Sequence, residues 1–188
     1  MGITCFQQPW AMDIWAKKEL IHLSIPFLDH FFAFITNLGS PIELILFTAL
    51  ATIALIYTGR IREGAFLAAT MLTGWGLMDE IKLLIARPRP AGEHLTYATG
   101  YSFPSGHSML SLLFYGFAAY LLLSSGRIKR KTTLVLTAAL LILLIGISRV
   151  YLNVHYASDV LGGFIIGALL LFASIRLMNW SRGRWFNS

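Results

Sequence analysis

Ser148–Asp159 reads SRVYLNVHYASD, a polar turn set where two apolar runs meet, Thr132–Val150 before it and Ser158–Met178 after it. Charge is costly in hydrocarbon, so Arg149, His155 and Asp159 at the junction of two such runs mark a functional site at a membrane face. Two more polar clusters precede this one. KLLIARPRP spans Lys82–Pro90 and PSGH spans Pro104–His107, each beside a further apolar run.

Composition agrees with a membrane protein. Of 188 residues, 56% are hydrophobic and only 13% charged, and the mean hydropathy is +0.68, outside the range of ordinary soluble domains. The sequence predicts one all-α domain, a polytopic bundle of membrane helices. A bilayer core of about 30 Å takes about 20 apolar residues in a helix. That length picks out five spans: Pro41–Tyr57, Gly64–Ala86, Ser105–Ser124, Thr132–Val150 and Ser158–Met178. Each must be helical, because an open strand leaves backbone groups unpaired in lipid. Pro88 and Pro90 stop the second span, since proline lacks a donor and restricts its predecessor.

The chain before Pro41 follows a different pattern. PWAMDIWAKKELIHLSI mixes Asp13, Lys17, Lys18 and Glu19 with Trp10, Ile14, Trp15, Leu20 and Ile21, too charged to span, and predicts an interfacial helix or a helix packed on the protein itself. IPFLDHFFAFITNLG is apolar but short, which predicts a helix that enters the membrane without crossing it. The first ten residues carry no Lys or Arg, so they do not read as a secretory signal and the N-terminus is expected to be retained. Cys5 is the only cysteine and permits no internal disulfide.

Basic residues set the expected orientation. Arg60 and Arg62, then Arg127, Lys129, Arg130 and Lys131, then Arg176, Arg182 and Arg184 fall on one side if five helices alternate, and that side is expected to be cytoplasmic. The net charge of +6 is thus largely a topology signal, and nucleic-acid binding is not expected. The segments carrying the three polar clusters then fall together on the external face of what is expected to be a plasma membrane.

Their chemistry suits a phosphoryl group. Lys82 near a helix end and Arg89 beyond it can converge on one anion, the guanidinium gripping oxygens in pairs and the ammonium adding a point charge. Ser105 and Gly106 open the next helix, where free N–H groups and the dipole favour phosphate. Arg149 adds a third cation. His155 and Asp159, spaced i, i+4, share a helical face, so the carboxylate can hold one ring nitrogen and leave the other as nucleophile. His107 is then the general acid that protonates the departing oxygen and later takes a proton from water. No HExxH, cysteine pair or dense carboxylate cluster is present, and neither a metal nor another cofactor is expected.

In order and spacing, KLLIARPRP, PSGH and SRVYLNVHYASD match KxxxxxxRP, PSGH and SRxxxxxHxxxD, so the chain resembles the type 2 phosphatidic acid phosphatase (PAP2) superfamily in its membrane branch, over roughly Leu28–Leu171. The resemblance implies a PAP2-like catalytic helical core, placed here at residues 28–180, with residues 1–27 as an interfacial segment of the same domain. It implies that Lys82, Arg89, Ser105, Gly106, His107 and Arg149 bind phosphate, that His155 forms a phosphohistidine oriented by Asp159, and that His107 is the general acid. Members of that branch usually carry six membrane helices; here the charged segment before Pro26 stands where the first would be. The implied substrate is a lipid phosphate or diphosphate, of the undecaprenyl diphosphate, phosphatidylglycerol phosphate or phosphatidic acid type. A lipid phosphotransferase sharing the phosphohistidine, or a non-enzymatic lipid or anion carrier, are the other classes these residues allow. The sequence carries no signal for oligomeric state.

Two further groups invite a reading. Asp79 and Glu80 lie within a turn of Lys82 and are expected to support it as an ion pair. Glu93, His94, Tyr97 and Tyr101 lie in the external loop, which is expected to meet a headgroup, to act as a lid or to be solvated.

Overall fold

The computed structural model describes residues 7–23 and 25–185. Cys5 lies outside the described residues, as do the side chains of Arg182 and Arg184. Seven helices and no strands occur among them: α1 Ala11–Ile21, α2 Pro26–Asn37, α3 Pro41–Tyr57, α4 Ile61–Ile85, α5 Gly106–Ser124, α6 Lys131–Tyr151 and α7 Ala157–Trp185.

Local sequence fixes the ends. Pro26 and Pro41 occupy the first turns of α2 and α3, where a missing donor costs nothing. Ser105 caps α5, its hydroxyl accepting from the backbone N–H of Ser108. Ala86 closes α4 in the left-handed region, at φ 49°, and the Pro88 and Pro90 segment keeps the chain extended beyond it.

By length and apolarity α5, α6 and α7 can cross a membrane, and α2 with α3, bent by 44° at the break between them, is a fourth candidate if the pair forms one span; of the five expected spans, Gly64–Ala86 does not pass on apolarity. α3 alone has only 17 residues. α4 is long enough, but Arg62, Glu63, Asp79, Glu80 and Lys82 at its ends and Thr and Gly between lower its apolarity. It runs from the Arg60 end of the bundle to the Lys82 end, packed among α3, α5 and α7 and burying Leu67, Met71 and Met78. The short helix expected before Pro41 is α2, and its bend into α3 fits a segment that enters without crossing.

Lipid tails are as apolar as leucine, so close packing must hold the helices together. The glycines of LGGFIIGALL provide it. A Cβ on Gly163 would lie 2.7 Å from the carbonyl oxygen of Ser105, and one on Gly167 would lie 3.0 Å from that of Met109. α7 therefore lies directly on the start of α5, which brings Asp159 beside the PSGH turn; Ser105 N donates to Asp159 O at 3.0 Å.

α2 and α1 are tied to the same end. Tyr151 donates to Asp29 at 2.6 Å, Arg149 to Thr36 Oγ1 at 2.6 Å, and Tyr115 to the Leu38 carbonyl at 2.7 Å. α1 is packed on α6 and α7, with Asp13 buried and Trp15 and Ile14 exposed. Of the two expectations for this segment, packing on the protein is what the structure shows, and Asp13 carries it across the boundary drawn at residue 28. At the opposite end of the bundle Arg60, Glu63, Ser125 and Arg127 gather, so the two groups of loops separate as the charge pattern predicts.

Candidate active site

Three helix ends and two connecting segments converge on a single cavity of about 460 Å³. Lys82 reaches it from the last turn of α4, Arg149 from the last turn of α6, and Gly106 and His107 from the first turn of α5, with Arg89 and His155 on the connections between helices. Helix polarity favours this arrangement, because cations sit well at C-terminal ends and an anion sits well at an N-terminus. Gly106 is closely packed: a Cβ there would lie 2.5 Å from Met78 Sδ, so the Met78 side chain would have to shift, and 3.9 Å from Lys82 Nζ.

His155 is buried between the cavity and Asp159. Its Nδ1 lies 3.6 Å from Asp159 Oδ2 and 3.4 Å from Ser102 Oγ. Its Nε2 lies 3.2 Å from Arg89 Nη1. A guanidinium only donates, so Nε2 must carry the lone pair and Nδ1 the hydrogen. Burial above all, with Arg149 and Arg89 adding to it against the opposing pull of Asp159, lowers the His155 pKa to about 3. The ring is therefore a neutral base whose free electron pair faces the cationic wall.

Asp159 does not line the cavity; it stands behind His155, as an orienting group should. Its Oδ2 accepts from Ser102 Oγ at 2.5 Å and from the Tyr156 N–H at 2.9 Å, while Oδ1 takes Arg87 Nη1 at 2.5 Å. Arg89 is more engaged than the sequence implies. Its donors reach the carbonyls of Gly100, Val154 and Thr99, so it ties the loop between α4 and α5 to the turn before His155. Burial lowers its pKa, an effect opposed by Asp159. Arg149 is anchored on Thr36 and has a buried Nε without a hydrogen-bond partner.

The cavity thus gathers Lys82, Arg89, Gly106, His107, Arg149 and His155. Ser105 is not on its wall: that hydroxyl is spent on Ser108, accepting from both its N–H and its Oγ. The expected close ion pair of Asp79 or Glu80 with Lys82 does not form among the described residues, because both carboxylates face outward on α4 while Lys82 turns in toward Gly106, although the Asp79 charge still acts favourably on Lys82. Of the loop between α4 and α5, Thr96–Thr99 lines the cavity, with Tyr97 largely exposed, whereas His94 donates to the Pro90 carbonyl at 3.0 Å. Among the described residues no three His, Cys, Asp or Glu side chains converge as a metal site.

Sequence reasoning missed four residues here: Asp13, Arg87, Ser102 and Thr36. Arg87 was the most visible, a second arginine at the end of a membrane helix within KLLIARPRP. It is fully buried, paired with Asp13 at 2.9 Å as well as with Asp159.

Comparison with known proteins places these features in a lineage. The PAP2 superfamily pattern matches residues 63–183. Phosphatidylglycerophosphatase B of Bacillus subtilis (strain 168) is 33% identical over 158 residues, which is 83% of this chain and 78% of that protein. Among solved structures, the first transmembrane PAP2 type phosphatidylglycerolphosphate phosphatase from Bacillus subtilis superposes with a TM-score of 0.83 at 32% identity, over 88% of this chain and 83% of that one. Aquifex aeolicus LpxE superposes with a TM-score of 0.71 at 25% identity, over 89% of this chain and 96% of that one.

Proposed function

Because the chain belongs to the PAP2 superfamily, whose membrane lipid phosphatases it resembles in sequence and fold, we propose that it removes the terminal phosphate of a phosphatidylglycerol phosphate type lipid at the external face of a bacterial plasma membrane, through a phosphohistidine at His155. The observation that carries this reading is the lone pair of His155 Nε2 directed at a cavity walled by Lys82, Arg89 and Arg149.

The steps follow from the geometry. Phosphate enters among the three cations and the N–H groups of α5, which offset its charge. Nε2 forms a bond to phosphorus while the bond from phosphorus to the ester oxygen breaks, and His107 delivers a proton to that oxygen. The dephosphorylated lipid leaves. Water then attacks phosphorus, His107 takes its proton, the N–P bond breaks and orthophosphate departs. Asp159 faces the Nδ1–H throughout and stabilises the positive ring that forms.

The lipid class is supported by what adjoins the cavity. Pro41 and the exposed Ile42 of α3 and the buried Met78 of α4 line it. Along the same two helices begins an apolar groove of about 330 Å³, lined by Leu44, Ile45, Ile53, Met71, Leu72 and Trp75. A phosphate among the cations with its tail along α3 and α4 accounts for both. The outward face follows from the basic loops at the far end of the bundle, and the exposed Trp15 and Ile14 suit α1 to the outer interface.

The deciding experiment is phosphate release by purified protein in detergent, with and without chelator, across phosphatidylglycerol phosphate, phosphatidic acid and undecaprenyl diphosphate. The expected result is fastest release from phosphatidylglycerol phosphate, unchanged by chelator and abolished in His155→Ala. Equal turnover of all three would overturn the substrate assignment, and label passing to an added acceptor lipid would convert the enzyme to a phosphotransferase.

A further inference from the structure

A buried chain of charge links α1 to the carboxylate behind the nucleophile. Arg87 stands at its centre with no solvent exposure. One end of its fork, Nη1, donates to Asp159 Oδ1 at 2.5 Å and to Ser158 Oγ at 2.7 Å. The other, Nη2, donates to Asp13 Oδ2 at 2.9 Å and to the Gln8 carbonyl at 3.0 Å. The guanidinium also lies 4.2 Å above the ring of Tyr156, whose N–H donates to Asp159.

Asp13 closes the circuit from the far side. Its Oδ1 accepts the backbone N–H of Ser158 at 2.8 Å, in the first turn of α7, and its Oδ2 accepts Ser158 Oγ at 2.8 Å. The same Oδ2 accepts the N–H of Trp10, completing the start of α1. One carboxylate thus satisfies donors at the N-termini of two helices, one of which carries Asp159.

Stability alone does not explain such an arrangement. Burying three charges incurs a desolvation cost that apolar residues of similar volume would avoid, often without loss of stability. Among the described residues Arg87 Nε moreover finds no hydrogen-bond partner. What the chain does achieve is geometric and electrostatic. Holding Oδ1 in place turns Oδ2 toward His155 Nδ1, and sharing Arg87 with Asp13 keeps that cation from neutralising Asp159 alone.

We propose that Asp13 and Arg87 are positioning residues that set the orientation and charge of Asp159, which makes the first helix a working part of the catalytic apparatus. This rests on the reading of His155 as nucleophile.

The test is a double-mutant cycle on the full chain in detergent, with phosphatidylglycerol phosphate as substrate. Asp13→Asn is expected to lower kcat about tenfold with KM unchanged, and to alter kcat by less than about twofold in an Asp159→Asn background, because coupled residues of one network are not additive. Equal losses in both backgrounds, or an unchanged kcat in the otherwise native chain, would overturn the assignment. If Asp13→Asn does not fold, Ser158→Ala decides the matter through the same cycle: it leaves every charge paired, and is expected to lower kcat about threefold in the native background and not beside Asp159→Asn. Additive losses from Ser158→Ala would likewise overturn it. Native protein that releases no phosphate, or His155→Ala that still does, would overturn the phosphatase reading and this assignment with it. Native protein that works, with His155→Ala dead and Asp13→Asn additive, overturns this assignment only.

Discussion

Arg89 Nη1 lies 3.2 Å from His155 Nε2, and this contact sets the tautomer of the proposed nucleophile. A permanent cation touching the ring also opposes its protonation, as does burial, the larger effect. In the proposed reaction, incoming phosphate would meet the same guanidinium that marks the lone pair.

His155 should therefore stay neutral where an ordinary histidine is charged. A lowered pKa means that the basic form persists as pH falls through 6.5, the ordinary value for His. Nitrogen NMR of histidine-labelled protein is expected to show the neutral Nδ1–H form of His155 down to about pH 5. A ring that titrates near 6.5 would contradict the assigned tautomer.

Arg149 and lysine should not be interchangeable. The guanidinium spends one N–H on Thr36 and keeps the rest of its fork at the cavity, a division an ammonium cannot reproduce. Arg149→Lys is expected to lower kcat/KM at least about tenfold, and Thr36→Val by about two- to tenfold, the worth of one hydrogen bond. Steady-state kinetics on one lipid phosphate checks both.

If His107 protonates the departing oxygen, its value depends on the leaving group. His107→Ala is expected to cost about 10²- to 10⁴-fold in kcat with a lipid alkoxide leaving group. The loss should shrink sharply with a nitrophenyl phosphate, whose phenolate needs no proton. Equal losses on both substrates would assign His107 to phosphate binding alone.

The α5 and α7 contact should tolerate no side chain at Gly163. Its Cβ would meet a backbone oxygen at 2.7 Å, and neither partner is a flexible tip. Gly163→Ala is expected to destabilise by about 1–3 kcal/mol, whereas Gly76→Ala, with open space at its Cβ, should be neutral or slightly stabilising. Thermal unfolding in detergent measures the difference.

The helices were legible because apolar runs and prolines act locally. Pro41–Tyr57 was read to the residue, and the other four runs fell within three residues of their helix starts. The number of spans was not legible, since α4 has the length of a span but carries charge at both ends, and only packing against α3, α5 and α7 explains how it is accommodated. The cavity wall was legible because each cation sits in a spaced motif. Asp13 was visible only as a charge unsuited to a span; its partner lies 74 residues away, and that pairing depends on how α1 docks. Ser105 and Asp79 show the converse limit, since spacing placed them beside the site but rotation of the helix turned Ser105 to a cap and Asp79 outward.

The central claim is that His155 carries phosphate covalently. Rapid acid-free quenching of native protein mixed with phosphatidylglycerol phosphate, radiolabelled in the terminal phosphate, tests it most directly. The account predicts protein-bound label that forms within a turnover, resists base, is lost in acid, maps to His155 and is absent from His155→Ala. Phosphate release at the native rate with no such label on the protein, or from the His155→Ala chain, would contradict it.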